Sequence, residues 1–224
     1  ASLDTVDNLL GGLAAVADFS APTEPDYIYF PATIPNDPQL DAQYAHAVMQ
    51  DYAAWNIETG DREVVVGIFD SGIDPDHEDL SANLWRNPGE IPGNNIDDDN
   101  NGAIDDVMGW DFVDDDGTLS DEDDAGHGTF VSGIVAAVGN NGVGVSGVNW
   151  EASLVVCSLG ETYFSMSGVV DGLDYMEYLR LDRGVNVVAT NHSYGSHSKG
   201  ELLEDAILRQ RDAGILFVTT AGNH

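Results

Sequence analysis

The stretch VVVGIFDSGID (residues 64–74) decides the fold of this chain. Residues 64–69 are apolar without interruption, whereas a strand with one face in water alternates apolar and polar residues. A continuous apolar run of this length is typical of a strand that is buried on both faces of a parallel sheet. The run ends at Asp70, so a carboxylate directly follows a buried strand.

Further strands and helices alternate along the chain. This alternation predicts an α/β fold with a mostly parallel sheet and helices on both of its faces. Asp, Asn and Gly dominate residues 81–126, and we predict no regular element there. The other predicted strands are residues 154–158, 185–189 and 215–220, and the predicted helices are residues 41–57, 127–138, 169–179 and 202–213.

The chain is strongly acidic, with 40 acidic and 7 basic residues and a formal net charge of −33. Such a surface repels phosphate backbones, so we expect no nucleic-acid partner. Bound divalent cations and a surface adapted to a salty medium both explain the acidity, and the two explanations are compatible. Cys157 is the only cysteine, which excludes a disulfide within the chain, and its apolar neighbours favour a buried thiol. No apolar run approaches the roughly 20 residues that a membrane helix needs.

Three polar residues stand where a parallel sheet gathers its ligand groups, at the carboxyl ends of strands. Asp70 follows the first predicted strand, Asn223 follows the last, and His127 begins a predicted helix. A buried carboxylate can hold one nitrogen of a histidine while the other nitrogen takes a proton from a nucleophile. Asp70 is therefore a candidate orienting group and His127 a candidate base. Taken singly, each residue is also typical of a structural role.

Three sequence blocks resemble those of a known family. FDSGID (residues 69–74), HGTFVSGIVAA (residues 127–137) and TTAGN (residues 219–223) are similar, in this order, to three of the four signature blocks of the subtilases, the subtilisin-like serine proteases. Phe69 departs from the pattern, since an aliphatic residue is usual there. The resemblance is strongest to the thermitase-like branch, which has counterparts of PNDP (residues 35–38), HEDL (residues 77–80), WDFVDDDGT (residues 110–118) and NNGVGVSGV (residues 140–148).

The resemblance implies a role for each matching residue. Asp70 and His127 would belong to a catalytic triad, and Asn223 would donate its side-chain amide to the oxyanion of the tetrahedral intermediate. A segment of backbone would pair with an extended peptide, and a pocket would take the residue before the scissile bond. These substrate-binding residues are Ser193, Tyr194 and Gly195 for the backbone, and Ala221 and Gly222 for the pocket. The remaining histidines match no catalytic position, and we interpret them as surface or packing residues.

The fourth block of the family carries the nucleophilic serine in a Gly-Thr-Ser-Met-Ala-like motif, and it has no counterpart here. Ser71, Ser132 and Ser193 lie inside the other blocks and are poor substitutes. We therefore expect residues 31–224 to be the amino-terminal two thirds of a peptidase domain whose serine lies beyond this chain. Residues 1–30 are expected to be the end of a prosegment or a linker, because EPDYIYF (residues 24–30) resembles the junction between an inhibitory prosegment and a mature protease.

The acidic loops predict calcium sites, since calcium takes about six to eight oxygen ligands that are often closely spaced in one loop. The resemblance implies one site in the WDFVDDDGT loop and a second that ties the amino-terminal segment to the domain. An acidic insertion at about residues 86–108 contains the front half of an EF-hand-like loop, although Met108 replaces the expected glutamate. For this third site, a merely solvated loop is the alternative. The candidate ligands are Asp111, Asp114, Asp116 and Thr118 in the first site, Asp37, Asp79 and Asn141 in the second, and Asp97, Asp99, Asn101, Asp105 and Asp106 in the third.

Together these features favour a secreted, calcium-stabilised serine endopeptidase that hydrolyses peptide bonds through an acyl-enzyme. Its expected partners are polypeptide substrates and its own prosegment as an inhibitor, with no nucleic acid and no membrane-spanning segment. Two alternatives stay open. One is a non-catalytic homologue that binds peptides or acts as a scaffold. The other is a calcium-binding adhesive module, which explains the acidic loops but not the three blocks.

Overall fold

The computed structural model describes residues 33–121, 126–161, 163–195 and 200–222. The predicted prosegment or linker of residues 1–30 lies outside these ranges. A five-stranded sheet forms the centre of the described part, with strand order β2-β3-β1-β4-β5 and parallel pairing throughout. The α/β prediction is therefore confirmed. The strands are β1 (Gly60–Asp70), β2 (Gly109–Asp111), β3 (Glu151–Ser158), β4 (Val187–His192) and β5 (Leu216–Thr219).

Three longer helices cover the sheet, and two short ones precede it in the described ranges. The longest helix begins after Ser165, whose hydroxyl accepts a hydrogen bond from the backbone N–H of Gly168 at 3.0 Å and so caps the first turn. The helices are α1 (Tyr44–Met49), α2 (Asp51–Ala54), α3 (His127–Ala136), α4 (Met166–Leu181) and α5 (Glu201–Asp212), with 3₁₀ turns at Leu40–Ala42 and Ser81–Asn83.

Both faces of β1 are buried in its carboxyl half, as its uninterrupted apolar run predicts. Alternate residues of a strand point to opposite faces. Val65 and Phe69 pack with Met176 of α4 on one face, whereas Ile68 packs with Ala136 of α3 on the other. Helices therefore lie on both sides of β1, and its carboxyl end is fixed from both sides.

The predicted helix of residues 41–57 is wrong as a single element. Gln50 adopts a left-handed conformation with φ of 66° and separates α1 from α2. The buried face also differs from the apolar spacing, because Val48 is 76% exposed whereas His46 is buried. The reason is a polar contact across the break: His46 Nδ1 lies 2.7 Å from Asp51 Oδ2, which draws the imidazole inward.

The amino-terminal segment is held against the loop that follows α3 mainly by polar contacts. His46 Nε2 lies 3.0 Å from the carbonyl oxygen of Ser146, and the Gln43 side chain contacts both backbone groups of the same residue. The indole N–H of Trp55 donates to the carbonyl oxygen of Val148 at 2.9 Å. These contacts join positions about a hundred residues apart, so this segment and this loop depend on one another.

The absence of regular structure predicted for residues 81–126 is wrong at two points, the 3₁₀ turn at Ser81–Asn83 and one short strand. Strand β2 lies within this stretch, where Gly109, Trp110 and Asp111 pair with β3. A strand of three residues is too short to show a periodic pattern, and only its contact with β3 defines it.

Two further predictions concern single features of the chain. Cys157 is fully buried, which confirms the structural thiol, and burial raises the pKa of this thiol well above its ordinary value. Among the helices that the structure describes, none is long and apolar enough to cross a membrane.

The close approach of α3 to the segment after β1 requires a glycine. A Cβ atom at Gly128 would lie 2.1 Å from the carbonyl oxygen of Gly72 and 3.0 Å from its nitrogen. Backbone cannot yield as a flexible side chain does, so only glycine allows this distance. The contact brings the first residue of α3, His127, next to the end of β1.

We predict that Gly128→Ala destabilises the protein by about 3 kcal/mol, because the added methyl group forces α3 away from β1. Gly133→Ala in the same helix is the matched control, since a Cβ atom there meets nothing within 4 Å. The control should be neutral or stabilising by up to about 1 kcal/mol, because alanine favours a helix more than glycine does. Urea unfolding of both variants, followed by circular dichroism, measures the difference. Equal stability of the two variants would refute the close contact.

Candidate active site

Asp70 is a buried carboxylate at the carboxyl end of β1. Its exposure is 0%, and Oδ1 accepts hydrogen bonds from the backbone N–H of Ser71 at 2.9 Å and from His127 Nδ1 at 2.6 Å. The other oxygen, Oδ2, is buried and has no hydrogen-bond partner among the described residues. A buried carboxylate needs hydrogen-bond donors in place of water, and the hydrogen bond from His127 helps to meet that need.

His127 is the first residue of α3, and half of its side chain is exposed. Gly126 precedes it with φ of 58°, a left-handed conformation that glycine adopts readily, and turns the chain into the helix. Because a carboxylate can only accept, Nδ1 of His127 carries the proton of the 2.6 Å hydrogen bond. In this orientation of the ring, acid–base chemistry would use the other nitrogen, Nε2.

A second carboxylate, which the sequence analysis did not identify, links the two segments that carry Asp70 and His127. The hydroxyl of Ser71 donates to Asp121 Oδ1 at 2.8 Å and accepts from the backbone N–H of Gly128 at 3.0 Å. Asp121 Oδ2 accepts from both the backbone N–H and the hydroxyl of Thr129 at 2.8 Å. No sequence motif indicated Asp121, since its role depends on two segments that meet only in the fold.

The predicted peptide-binding backbone follows β4, the strand beside β1. Phe69 and His192 are register partners, so Ser193, Tyr194 and Gly195 continue past the level of Asp70. No backbone–backbone hydrogen bond in the described part of the chain involves these three residues. Their N–H and C=O groups therefore form an edge that an extended peptide can pair with.

The predicted pocket residues follow β5, the next strand in the sheet. The backbone N–H of Thr220 donates to the carbonyl oxygen of His192 at 3.2 Å, which keeps this segment beside β4. Gly222 has φ of 85° and donates its N–H to the hydroxyl of Thr220, and Ala221 lies between them. Asn223, the predicted oxyanion donor, lies outside the described residues.

The serines of the matching blocks occupy structural positions. Ser132 is fully buried, and Ser71 is buried and engaged by Asp121 and Gly128. The hydroxyl of Ser193 accepts from the side-chain amide of Asn191 at 3.0 Å. None of these contacts is that of a nucleophile activated by a histidine.

The first predicted calcium loop lines an open cavity of about 430 Å³. Asp111 Oδ1 accepts two backbone N–H groups of its own loop, and Oδ2 accepts from the hydroxyl of Ser158 at 2.5 Å. The lining of the cavity includes Asp111, Asp114, Asp116, Thr118 and Ser120, so its polar groups are mainly oxygens.

The second predicted site joins three parts of the chain, as the sequence analysis expects. Asp37 and Asp79 are almost fully buried, and neither forms an ion pair within the described ranges. Asp37 accepts the backbone N–H groups of residues 140–142, and Asp79 Oδ1 lies 2.7 Å from the side-chain amide of Asn141. The three predicted ligands therefore lie together.

The third predicted set divides into two groups. Asp97 and Asp105 accept backbone N–H groups of their own loop. Asp99 and Asp106 meet Glu90, which the sequence analysis missed, with one ligand atom of each within 4.8 Å of the others.

The group of Glu90, Asp99 and Asp106 has an unusual electrostatic environment. Burial raises the pKa of Asp106 to about 6, although Tyr175 and two asparagines donate hydrogen bonds to it. Asp99 forms an ion pair with Arg183 at 3.2 Å. Asn101 remains part of the cluster, because its side-chain amide donates to Asp106 Oδ2 at 2.8 Å.

Comparison with known proteins agrees with this geometry. The chain is 38% identical over 159 residues to subtilisin-like protease 1 of Plasmodium berghei, a match that covers 70% of this chain and 25% of the relative. It is 30% identical over 192 residues to thermitase of Thermoactinomyces vulgaris, which covers 84% of this chain and 58% of thermitase. The chain thus spans a quarter to somewhat more than half of these relatives.

A solved structure of a protease from Pseudoalteromonas arctica PAMC 21717 superposes with a TM-score of 0.63 and 29% identity, covering 85% of this chain and 60% of that one. The model of the subtilase family matches residues 61–224. This range contains Asp70 and His127, the carboxylate and the imidazole that the fold brings into contact. The chain therefore belongs to the subtilase family.

Proposed function

We propose that this chain provides the base and the orienting carboxylate of a serine endopeptidase that hydrolyses peptide bonds through an acyl-enzyme. The observation that carries the proposal is the 2.6 Å hydrogen bond from His127 Nδ1 to the buried Asp70 Oδ1. It joins a half-exposed imidazole to a carboxylate that no solvent reaches. In a subtilase, this is the pair that activates a serine hydroxyl.

The proposed reaction uses the two nitrogens of His127 separately. Nε2 takes the proton of the serine hydroxyl as its oxygen forms a bond to the carbonyl carbon of the peptide, and Asp70 stabilises the resulting imidazolium through Nδ1. The tetrahedral intermediate collapses with transfer of that proton to the leaving amine, and water repeats the sequence to release the acid. The proposal places the nucleophilic serine outside residues 1–224 and assigns the oxyanion donor to Asn223.

Polypeptide substrates would bind along the edge formed by Ser193, Tyr194 and Gly195. The absence of backbone partners for this edge in the described ranges supports the assignment, since an extended peptide supplies them. Ala221 and Gly222 would border the pocket for the residue before the scissile bond, where small side chains leave room. The same proposal includes secretion and an inhibitory prosegment that ends within residues 1–30.

Calcium is the cation that fits the acidic groups best. All of the candidate ligands present oxygen, the donor that calcium requires. Asp37 and Asp79 are buried without an ion pair in the described part of the chain. Burial of such a charge lowers the stability of the fold unless a cation coordinates the carboxylate. Calcium would stabilise the folded chain at Asp37, Asp79 and Asn141 and in the loop that begins at Asp111. In the insertion, Glu90 would join Asp99 and Asp106.

We predict that His127→Ala lowers the turnover number by about 10⁶-fold and Asp70→Asn by about 10⁴-fold, magnitudes typical of serine proteases, because the serine loses its base or the base loses its orientation. The protein is expressed from its complete reading frame in calcium-containing buffer. It is assayed on a tetrapeptide p-nitroanilide, and labelling with a fluorophosphonate probe reports an activated serine independently of the peptide.

Asp76→Asn is the matched control for Asp70→Asn, since it removes an exposed carboxylate six positions along the chain. Its turnover should stay within twofold of wild type. A folded wild-type protein that neither cleaves the peptide nor reacts with the probe would contradict the proposal and favour a non-catalytic homologue that binds peptides.

We also predict that calcium raises the melting temperature relative to a chelator. A ligand that binds only the folded state at a thousandfold excess over Kd adds about 4 kcal/mol. Asp79→Asn should remove part of the calcium-dependent increase, because it weakens a ligand between two chain segments. Asp205→Asn, an exposed carboxylate on α5, is the control and should leave the increase unchanged. Identical melting curves of the wild-type protein with calcium and with chelator would overturn the calcium proposal.

A further inference from the structure

His192 is the last residue of β4 and one of the most deeply buried polar residues of the described chain, with 1% exposure. It is the register partner of Phe69, the residue that immediately precedes Asp70. It also immediately precedes the edge of residues 193–195. His192 therefore lies on the strand beside β1, one residue before the proposed peptide-binding backbone and opposite the residue that precedes Asp70.

The imidazole of His192 is packed between two aromatic rings. Its centroid lies 3.9 Å from that of Phe217 in β5, in a stacked arrangement, and 4.4 Å from that of Phe69 in β1. Burial lowers the pKa of His192 to about 3, so the ring is neutral at any pH where a protease of this kind works.

Both nitrogens of the neutral ring have partners. Nε2 lies 3.0 Å from the hydroxyl of Thr190, which is fully buried, and Nδ1 lies 2.7 Å from the hydroxyl of Tyr194. A neutral imidazole has one donor and one acceptor, and each hydroxyl can serve as either, so both contacts can be satisfied at once. The ring of Phe164 meets Tyr194 edge-on, with centroids 4.9 Å apart.

This arrangement holds a segment that lacks backbone support. The backbone groups of residues 193–195 form no backbone–backbone hydrogen bonds in the described ranges. The course of this edge therefore depends on its side chains. The hydroxyl of Tyr194 connects the edge to the interior of the sheet through its hydrogen bond with His192.

We propose that His192 is a positioning residue for peptide binding: through its hydrogen bond to the Tyr194 hydroxyl it holds the edge of residues 193–195 in place beside Asp70. The inference rests on the proposed function, since it assigns this edge to substrate. It goes beyond the interpretation of His192 as a packing residue, because packing alone needs an aromatic ring but not its nitrogens.

The test separates the ring from its nitrogens. His192→Phe keeps an aromatic ring between Phe69 and Phe217 and removes both hydrogen bonds, and Tyr194→Phe removes only the hydroxyl. Each variant and the double variant are made in the complete protein. They are assayed on a tetrapeptide p-nitroanilide, which spans the edge, and on the N-acetyl methyl ester of its last residue, which does not.

We expect KM for the tetrapeptide to rise about fivefold in each single variant, the effect of one hydrogen bond, with the turnover number unchanged. The specificity constant for the ester should fall less than that for the tetrapeptide, because the ester does not span the edge. The double variant should resemble the single variants, because both remove the same contact. Tyr194→Phe carries the test alone if His192→Phe does not fold, since Tyr194 is only half-buried.

Three other outcomes would contradict the positioning role of His192 or the proposed function. Equal losses on the tetrapeptide and the ester would mean general damage and would overturn the positioning role. Unchanged KM values in a folded Tyr194→Phe variant would also overturn it. A wild-type protein that cleaves neither substrate and does not react with a fluorophosphonate probe overturns the proposed function, and this inference with it. If the wild-type protein is active and either of the first two outcomes is observed, only the positioning role of His192 is overturned.

Discussion

The burial of the Asp70 carboxylate is the constraint on which the rest of the site depends. A charge removed from water costs several kcal/mol unless strong hydrogen bonds replace its hydration. The partner that meets this need is His127, and it reaches Asp70 because α3 approaches the backbone of Gly72 without a side chain at Gly128. Ser71 and Asp121 then hold the two segments together, so one buried charge determines where a whole helix lies.

In the described part of the chain, the carboxylates of the acidic loops are stabilised mainly by hydrogen bonds from backbone amides rather than by ion pairs. Only 7 basic residues are present for 40 acidic ones, so pairing cannot neutralise the surface. Glu90 accepts three backbone N–H groups, Asp105 accepts three others, and Asp37 accepts three more. These hydrogen bonds satisfy the carboxylate oxygens but leave the charges uncancelled, and like charges in one loop repel each other. Bound cations would cancel part of this charge, which is why the acidic loops and the calcium proposal belong together.

The sequence predicts those parts of this structure that local pattern controls. The apolar run before Asp70 predicts a doubly buried strand because each of its residues contacts one of two apolar layers. The break at Gln50 was not predicted, since it arises from contacts of His46 with Asp51 and with the distant Ser146. Asp121 was missed for the same reason, since its partner Ser71 is distant in sequence. Glu90 was missed because it precedes the EF-hand-like spacing and joins that loop only through the fold of the insertion. The acidic spacing in the insertion indicated a ligand group but not which members converge, because the backbone amides of that loop compete for the same carboxylates.

The same long-range polar contacts connect the carboxyl end of α3 to the amino-terminal segment. The apolar contact of this segment is small and centres on Leu40, Trp55 and Trp150, so its attachment rests largely on hydrogen bonds and carboxylates. Elements with little buried apolar area open at lower free energy than a core does. The loop that they hold begins where α3 ends, and the backbone N–H of Val138 donates to the carbonyl oxygen of Asp79 at 2.9 Å. A cation between Asp37 and Asp79 would therefore act on α3 from the end opposite His127, and it would stabilise the orientation of the base without touching it.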